Sequence, residues 1–178
     1  VLVVGVLFGA LNGVLVAKLK LPPFIATLGT QMVSMGLGSI LTHVQAQHWP
    51  TASDPLGGWF KPVFIRRTLF GIKGFPVGAF WLIGGFIVAW FILHKTKFGR
   101  YTYAVGSNEE AARLSGINVD AWKIGVYTLS GLFIGFSGLM YAAAYTTITP
   151  GTGNGPEMNG ITGVVIGGAA MSGGSGTM

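Results

Sequence analysis

The chain has 178 residues, of which 51% are hydrophobic and only 9% charged, with a formal net charge of +6 and a mean hydropathy of +0.62. A soluble domain carries about 25% charged residues, and disorder needs low hydrophobicity with high charge; neither fits. The 30 glycines have no three-residue period, which excludes collagen, and the absence of cysteine excludes a disulfide scaffold. What remains is an integral-membrane protein.

The chain opens on Val1 and is apolar through residue 17, with no charged region before it, so this stretch does not read as a signal peptide. It closes inside a glycine-rich run, Gly-Gly-Ser-Gly-Thr-Met, and the whole reads as an internal fragment of a longer protein, truncated at both ends. A helix crossing a bilayer needs about 20 apolar residues. Residues 1–17, 24–42, 75–93 and 124–146 approach that length without a single charge. One ionisable residue at mid-span costs about 2.5–3.5 kcal/mol on insertion scales, so four such windows are a strong pattern. A fifth stretch, 161–171, is too short to cross and is either re-entrant or the start of a truncated span. The expected fold is therefore all-α: a polytopic transmembrane bundle of about four spans plus a short segment, forming one domain over residues 1–178.

Small residues recur inside the spans. Gly5, Gly9 and Gly13 lie four apart, and Gly131, Gly135 and Gly138 form a second row flanked by Ser130 and Ser137. In lipid, helices associate by close backbone approach, which needs small residues at the contact. These rows predict a packed bundle.

The connections alternate sides. Lys18, Lys20, Lys95, Lys97, Arg100, Arg113 and Lys123 fall on one side, and Lys61, Arg66, Arg67 and Lys73 on the other, seven against four. The positive-inside rule makes residues 94–123 a cytoplasmic loop and residues 43–74 an extracytoplasmic one. The positive charge then reads as juxtamembrane anchoring near anionic lipid. No basic patch interleaved with aromatics supports a nucleic-acid partner.

The cytoplasmic loop holds the sharpest local signal. Ser107 and Glu110 have capping-box spacing, Glu109 and Glu110 face the positive end of a helix dipole, and Gly116 suits the left-handed residue that ends a helix. A short helix is expected over residues 108–115, with Ala111, Ala112, Leu114 and Ile117 as an apolar face. A helix this short is marginal in water and needs something to pack against: its own protein, or a groove on a cytoplasmic partner.

These residues carry a resemblance. Glu110-Ala-Ala-x-x-x-Gly116 resembles the Glu-Ala-Ala-x3-Gly signature of bacterial ABC-type importer permeases. Gly9-Ala-Leu-Asn-Gly-Val-Leu-Val-Ala-Lys-Leu-Lys-Leu-Pro-Pro-Phe-Ile-Ala-Thr-Leu-Gly29 is similar to the permeases of ribose- and xylose-type sugar importers. So are the run from Phe98-Gly-Arg-Tyr to Arg113-Leu-Ser-Gly-Ile-Asn-Val119, the block Gly153-Asn-Gly-x-Glu157, and Val165-Ile-Gly-Gly-x-x-x-Ser-Gly-Gly174. The resemblance covers nearly the whole chain. It implies a permease translocating a simple sugar by alternating access, with Glu109, Glu110, Ala111, Ala112, Arg113, Leu114 and Gly116 coupling it to cytoplasmic ATP-binding subunits. It also implies an extracytoplasmic sugar-binding protein and a second permease subunit as partners. Pro156, Asn159 and the run Gly167-Gly-Ala-Ala-Met171 depart from the usual pattern of that family, which leaves the sugar unidentified.

The remaining constellations exclude more than they assign. Gly168 to Gly173 has the first spacing of a phosphate loop, but Gly174 stands where the lysine must be, so ATP hydrolysis is expected on a separate subunit. His43, His48 and Asp54 are too few for a metal site, no serine, histidine and acid are arranged for catalysis, and no cofactor is expected. Glu157, an acid at a membrane boundary, is a functional candidate. Thr27, Thr30, Gln31 and Ser34 are polar groups within one span; with Asn154 and Glu157 they form the candidate substrate path, against a packing role for the span residues worth about 0.6 kcal/mol per interhelical hydrogen bond. The alternative to an importer is a scaffold or passive channel built from the same helices without an ATPase.

Overall fold

The computed structural model describes residues 1–48, 63–64, 68–69, 72–73, 77–145, 147–153 and 155–169. In chain order these form α1 (Leu2–Ala17), α2 (Pro23–Leu41), β1 (Gln47–His48), β2 (Thr68–Leu69), β3 (Ile72–Lys73), α3 (Val77–Lys95), α4 (Lys97–Ser107), α5 (Glu109–Leu114), α6 (Val119–Ala144), β4 (Thr147–Ile148) and α7 (Pro156–Ile166). The architecture is all-α, as expected. The strands are two-residue pairs: β2 with β3, and β1 with β4 in the antiparallel register Gln47↔Ile148 and His48↔Thr147.

Local sequence explains the boundaries. α2 begins with Pro23 at its first helical position, where the missing N–H is no loss. α3 ends on His94 and Lys95, which face the negative end of its dipole. α6 is capped by the Asn118 side chain, which accepts from the Ala121 N–H at 3.1 Å, with Asp120 in the first turn.

α2, α3 and α6 are long and apolar enough to cross a membrane. α1 is free of charge throughout, and its 16 residues rise about 24 Å, short of the roughly 30 Å hydrocarbon core. The outward faces are apolar: Met32 is 73% exposed, Leu82 69% and Leu41 79%. A surface of this kind needs lipid or further helices against it.

The main seam runs between α1 and α6, which lie antiparallel. A Cβ on Gly9 would stand 2.5 Å from the Tyr127 carbonyl oxygen and 2.9 Å from Gly131 Cα; one on Gly13 would stand 2.7 Å from Ile124 Cα. A Cβ on Gly5 or on Gly131 would overlap the other's carbonyl oxygen. Both predicted glycine rows therefore face each other, backbone against backbone. Gly138, at the edge, only approaches Val1.

The antiparallel seam sets the ends of the bundle. The start of α6 lies beside the end of α1, so Lys18, Lys20, Arg113 and Lys123 share one end. The end of α3 joins them, because α4 folds back onto α6: the Phe98 and Tyr101 rings each lie 5.1 Å from Trp122, whose indole N–H donates to Thr102 Oγ1 at 3.2 Å. Gly99 permits that turn, since a Cβ there would overlap the Leu93 carbonyl. At the opposite end Phe64 packs on Ala143, Phe136 and Trp81, and the Trp81 indole N–H donates to the Val63 carbonyl at 2.9 Å.

Candidate functional site

α5 stands at the basic end as a six-residue helix, Glu109–Leu114, shorter than the 108–115 expected. Its cap is Asn108, not Ser107. α4 continues through Ser107, leaving Asn108 as the extended residue (φ −153°, ψ 102°) whose side chain accepts from the Ala111 N–H at 3.0 Å. The Ser107–Glu110 capping box therefore does not form: Ser107 is itself helical. Gly116 has φ +83°, the left-handed conformation that its position predicted.

α5 is latched to the start of α6 by charge. Lys123 Nζ lies 2.6 Å from Glu109 Oε2, while Arg113 Nη2 lies 3.4 Å from Glu109 and 3.2 Å from Asp120. The hydrogen bond from Lys123 is the main cause holding the Glu109 carboxyl below its ordinary range; partial burial opposes it, and Arg113 adds to it. The two glutamates thus differ. Glu109 turns to the protein, whereas Glu110 is exposed and forms no ion pair among the described residues. The predicted apolar face splits as well. Ala112 is buried and Ile117 half-buried, but Ala111 is exposed and Leu114 is 86% exposed. Glu110, Ala111 and Leu114 form the outward surface, and Ala112, Glu109 and Arg113 hold the helix in place.

The candidate path residues fall on α2 and α7. Thr27, Gln31, Ser34, Gly38 and Thr42 follow one another at spacings of three or four, on one face of α2. Thr30 is buried and donates to Asn12 Oδ1 on α1 at 2.8 Å, a bond between helices that favours its packing role. Thr27 donates to the Pro23 carbonyl and Ser34 to the Gln31 carbonyl. Gln31 Nε2 donates to Glu157 Oε1 at 3.4 Å, across 126 residues of sequence. Glu157 Oε2 accepts from the Gly155 N–H at 2.7 Å. Hydrogen bonds from its own backbone, then from Gln31 and Gly155, hold the Glu157 carboxyl below its ordinary range against desolvation. Gln31 and Glu157 are therefore brought together, with Ser34 one turn along α2 from Gln31, while Asn154 lies outside the described residues.

Two features escaped the sequence. α4 was expected to be loop; its Lys97 and Arg100 hid an amphipathic helix. Asn12, within a charge-free apolar window, gave no sign of meeting Thr30. The spacing of Glu109, Arg113, Asp120 and Lys123 was visible, but their pairing depends on the turn at 115–118.

Residues 1–177 match the family described as the permease component of the branched-chain amino acid transport system. The chain belongs to this permease family. It is 40% identical over 177 residues to the ribose import permease protein RbsC of Escherichia coli (strain K12), covering 98% of this chain and 53% of that protein. It is 36% identical over 178 residues to the fructose import permease protein FrcC of Rhizobium meliloti (98% and 48%), and 32% identical over 175 residues to the galactose/methyl galactoside import permease protein MglC of Salmonella typhimurium (98% and 51%). The chain thus spans about half the length of these relatives. No solved structure matches it.

Proposed function

We propose that this chain is part of the permease subunit of an ATP-binding-cassette importer in the bacterial inner membrane, moving a simple sugar by alternating access. The basic end is cytoplasmic, and α5 is the helix onto which a separate ATP-binding subunit docks. An extracytoplasmic sugar-binding protein delivers the substrate, and a second permease subunit completes the pore. The observation that carries this reading is α5 itself: it is latched inward through Glu109 and Arg113 and presents Glu110 and Leu114 outward, on a chain whose relatives are sugar import permeases.

The packing supplies a mechanism. Ion pairs join α5 to α6, and the glycine seam joins α6 to α1, so a push on α5 carries α6 and α1 as one body. α2 is held to that body through a lighter tie, Thr30 to Asn12 on α1, and meets α7 through Gln31 and Glu157. Closure of the ATP-binding subunits would rock α1 and α6 against α2 and α3, opening one end of the path as the other closes.

The test uses the full-length protein with its ATP-binding and binding-protein partners. Glu110→Lys and Gly116→Val are expected to abolish sugar uptake and association with the ATP-binding subunit while membrane insertion survives. Uptake that persists in both variants overturns the docking role of α5.

A further inference from the structure

At the end of the bundle opposite α5, the last turns of α2 and residues 47–48 and 148–152 border an open cleft of about 350 Å³. That volume lies within the range of small-molecule sites, about 300–1,000 Å³. The cleft has two walls, joined by the β1–β4 pairing and by the contact of His48 Nδ1 with Thr147 Oγ1 at 3.1 Å. The turn that leads from α2 into β1 holds Val44 at φ +60°. The turn is closed by hydrogen bonds from the Val44 N–H to the Ser39 carbonyl and from the Gln45 N–H to the Thr42 carbonyl, each 2.9 Å.

Its lining has one chemical character. Among the described residues no charged side chain lines the cleft; hydroxyl, amide and imidazole groups do, beside Met35, Pro150 and Ile148. Thr42 and Ser34 have committed their protons to helix carbonyls, Gly38 at 2.8 Å and Gln31 at 2.9 Å, so toward the cleft their oxygens accept. The Ser39 hydroxyl and the Gln47 amide have no hydrogen-bond partner among the described residues and are free to donate. Acceptors and donors in alternation, on a neutral wall with an apolar side, suit a compact molecule whose hydroxyls both give and receive. The cleft adjoins the candidate path residues: Ser34 lines it, and Gln31, one turn earlier on the same face of α2, meets Glu157.

We infer that this cleft is the outer reception site for the transported sugar, where Ser39 and Gln47 bind its hydroxyls before it passes along α2 toward Gln31 and Glu157. This rests on the proposed importer function and assigns that function an entry site and the residues that discriminate among sugars. The occupant is the neutral sugar, not a loop of the binding protein.

The experiment uses the full-length permease reconstituted in vesicles with its ATP-binding subunit and binding protein, with labelled ribose, fructose and galactose as probes. Ser39→Val and Gln47→Leu should each lower uptake of the preferred sugar about tenfold, the effect of one lost hydrogen bond. They should alter the ranking of the three sugars, and leave basal ATP hydrolysis and capture of the binding protein unchanged. Ser39→Thr should restore uptake. Unaltered uptake and ranking overturn the site. So does loss of uptake accompanied by loss of binding-protein capture, which makes the cleft a protein contact. Wild-type vesicles that import neither these three sugars nor any other labelled monosaccharide with ATP overturn the importer reading itself and the site with it.

Discussion

The glycine seam makes a prediction whose size follows from the geometry. In Gly9→Ala the new methyl would lie 2.5 Å from the Tyr127 carbonyl and 2.9 Å from Gly131 Cα, where ordinary contact begins at 3.4 Å. Relief needs the helices to part by about 0.9 Å (3.4 − 2.5). No rotamer change can supply it, because both obstructing atoms are backbone. Parting the helices also loosens Gly5 against Gly131 and Gly13 against Ile124. Helix association in lipid rests largely on close packing, and overpacking costs about 1–3 kcal/mol, so Gly9→Ala should destabilise the full-length protein by that amount. Gly125→Ala, on the same seam helix α6, is the control. Its methyl would meet only the Phe98 ring, at 3.7 Å, and alanine in a helix gains about 0.5–1 kcal/mol over glycine. Unfolding of both variants in bicelles, followed by far-UV dichroism, gives the comparison. If Gly9→Ala is as stable as Gly125→Ala, the seam is not the close backbone contact described.

Further predictions concern the latch, the cap and the path. The Glu109 carboxyl lies below its ordinary value of 4.5 in the folded state; its contribution to stability is therefore complete above pH 4.5 and is lost as the pH falls through the lower folded value. In Lys123→Gln that pH dependence should flatten, and the charge swap Glu109→Lys with Lys123→Glu should recover part of the α5 protection seen by hydrogen exchange; exposed pairs of this kind are worth about 0.2–1 kcal/mol. Asn108→Ala should cost α5 about 1 kcal/mol, read as faster amide exchange at Ala111, while Ser107→Ala leaves that amide unchanged. Thr30→Val should lower stability by about 0.6 kcal/mol and leave uptake intact; loss of uptake at full stability would move Thr30 from packing to the path.

The membrane-spanning helices were legible because a charge-free window is a property of the sequence alone. The glycine rows were legible as contact surfaces, since only close approach explains small residues at four-residue spacing, but which rows meet depends on the tertiary arrangement. The cap of α5 fell one residue from the expected place because Ser107 and Asn108 are both good caps, and the extent of α4 decides between them. Glu109 and Glu110 are alike in sequence and opposite in role, since helix rotation turns one to Lys123 and leaves the other exposed. The meeting of Gln31 with Glu157, and the cleft beyond Ser34, join segments that no local pattern relates.

The central claim is that an ATP-binding subunit docks on α5. A photo-crosslinking residue placed at Leu114, and separately at Thr149 on the opposite end, tests it in the full-length protein in native membranes. Position 114 is expected to capture the ATP-binding subunit and position 149 is not; capture at position 149, or none at position 114 in an actively transporting complex, would contradict docking on α5.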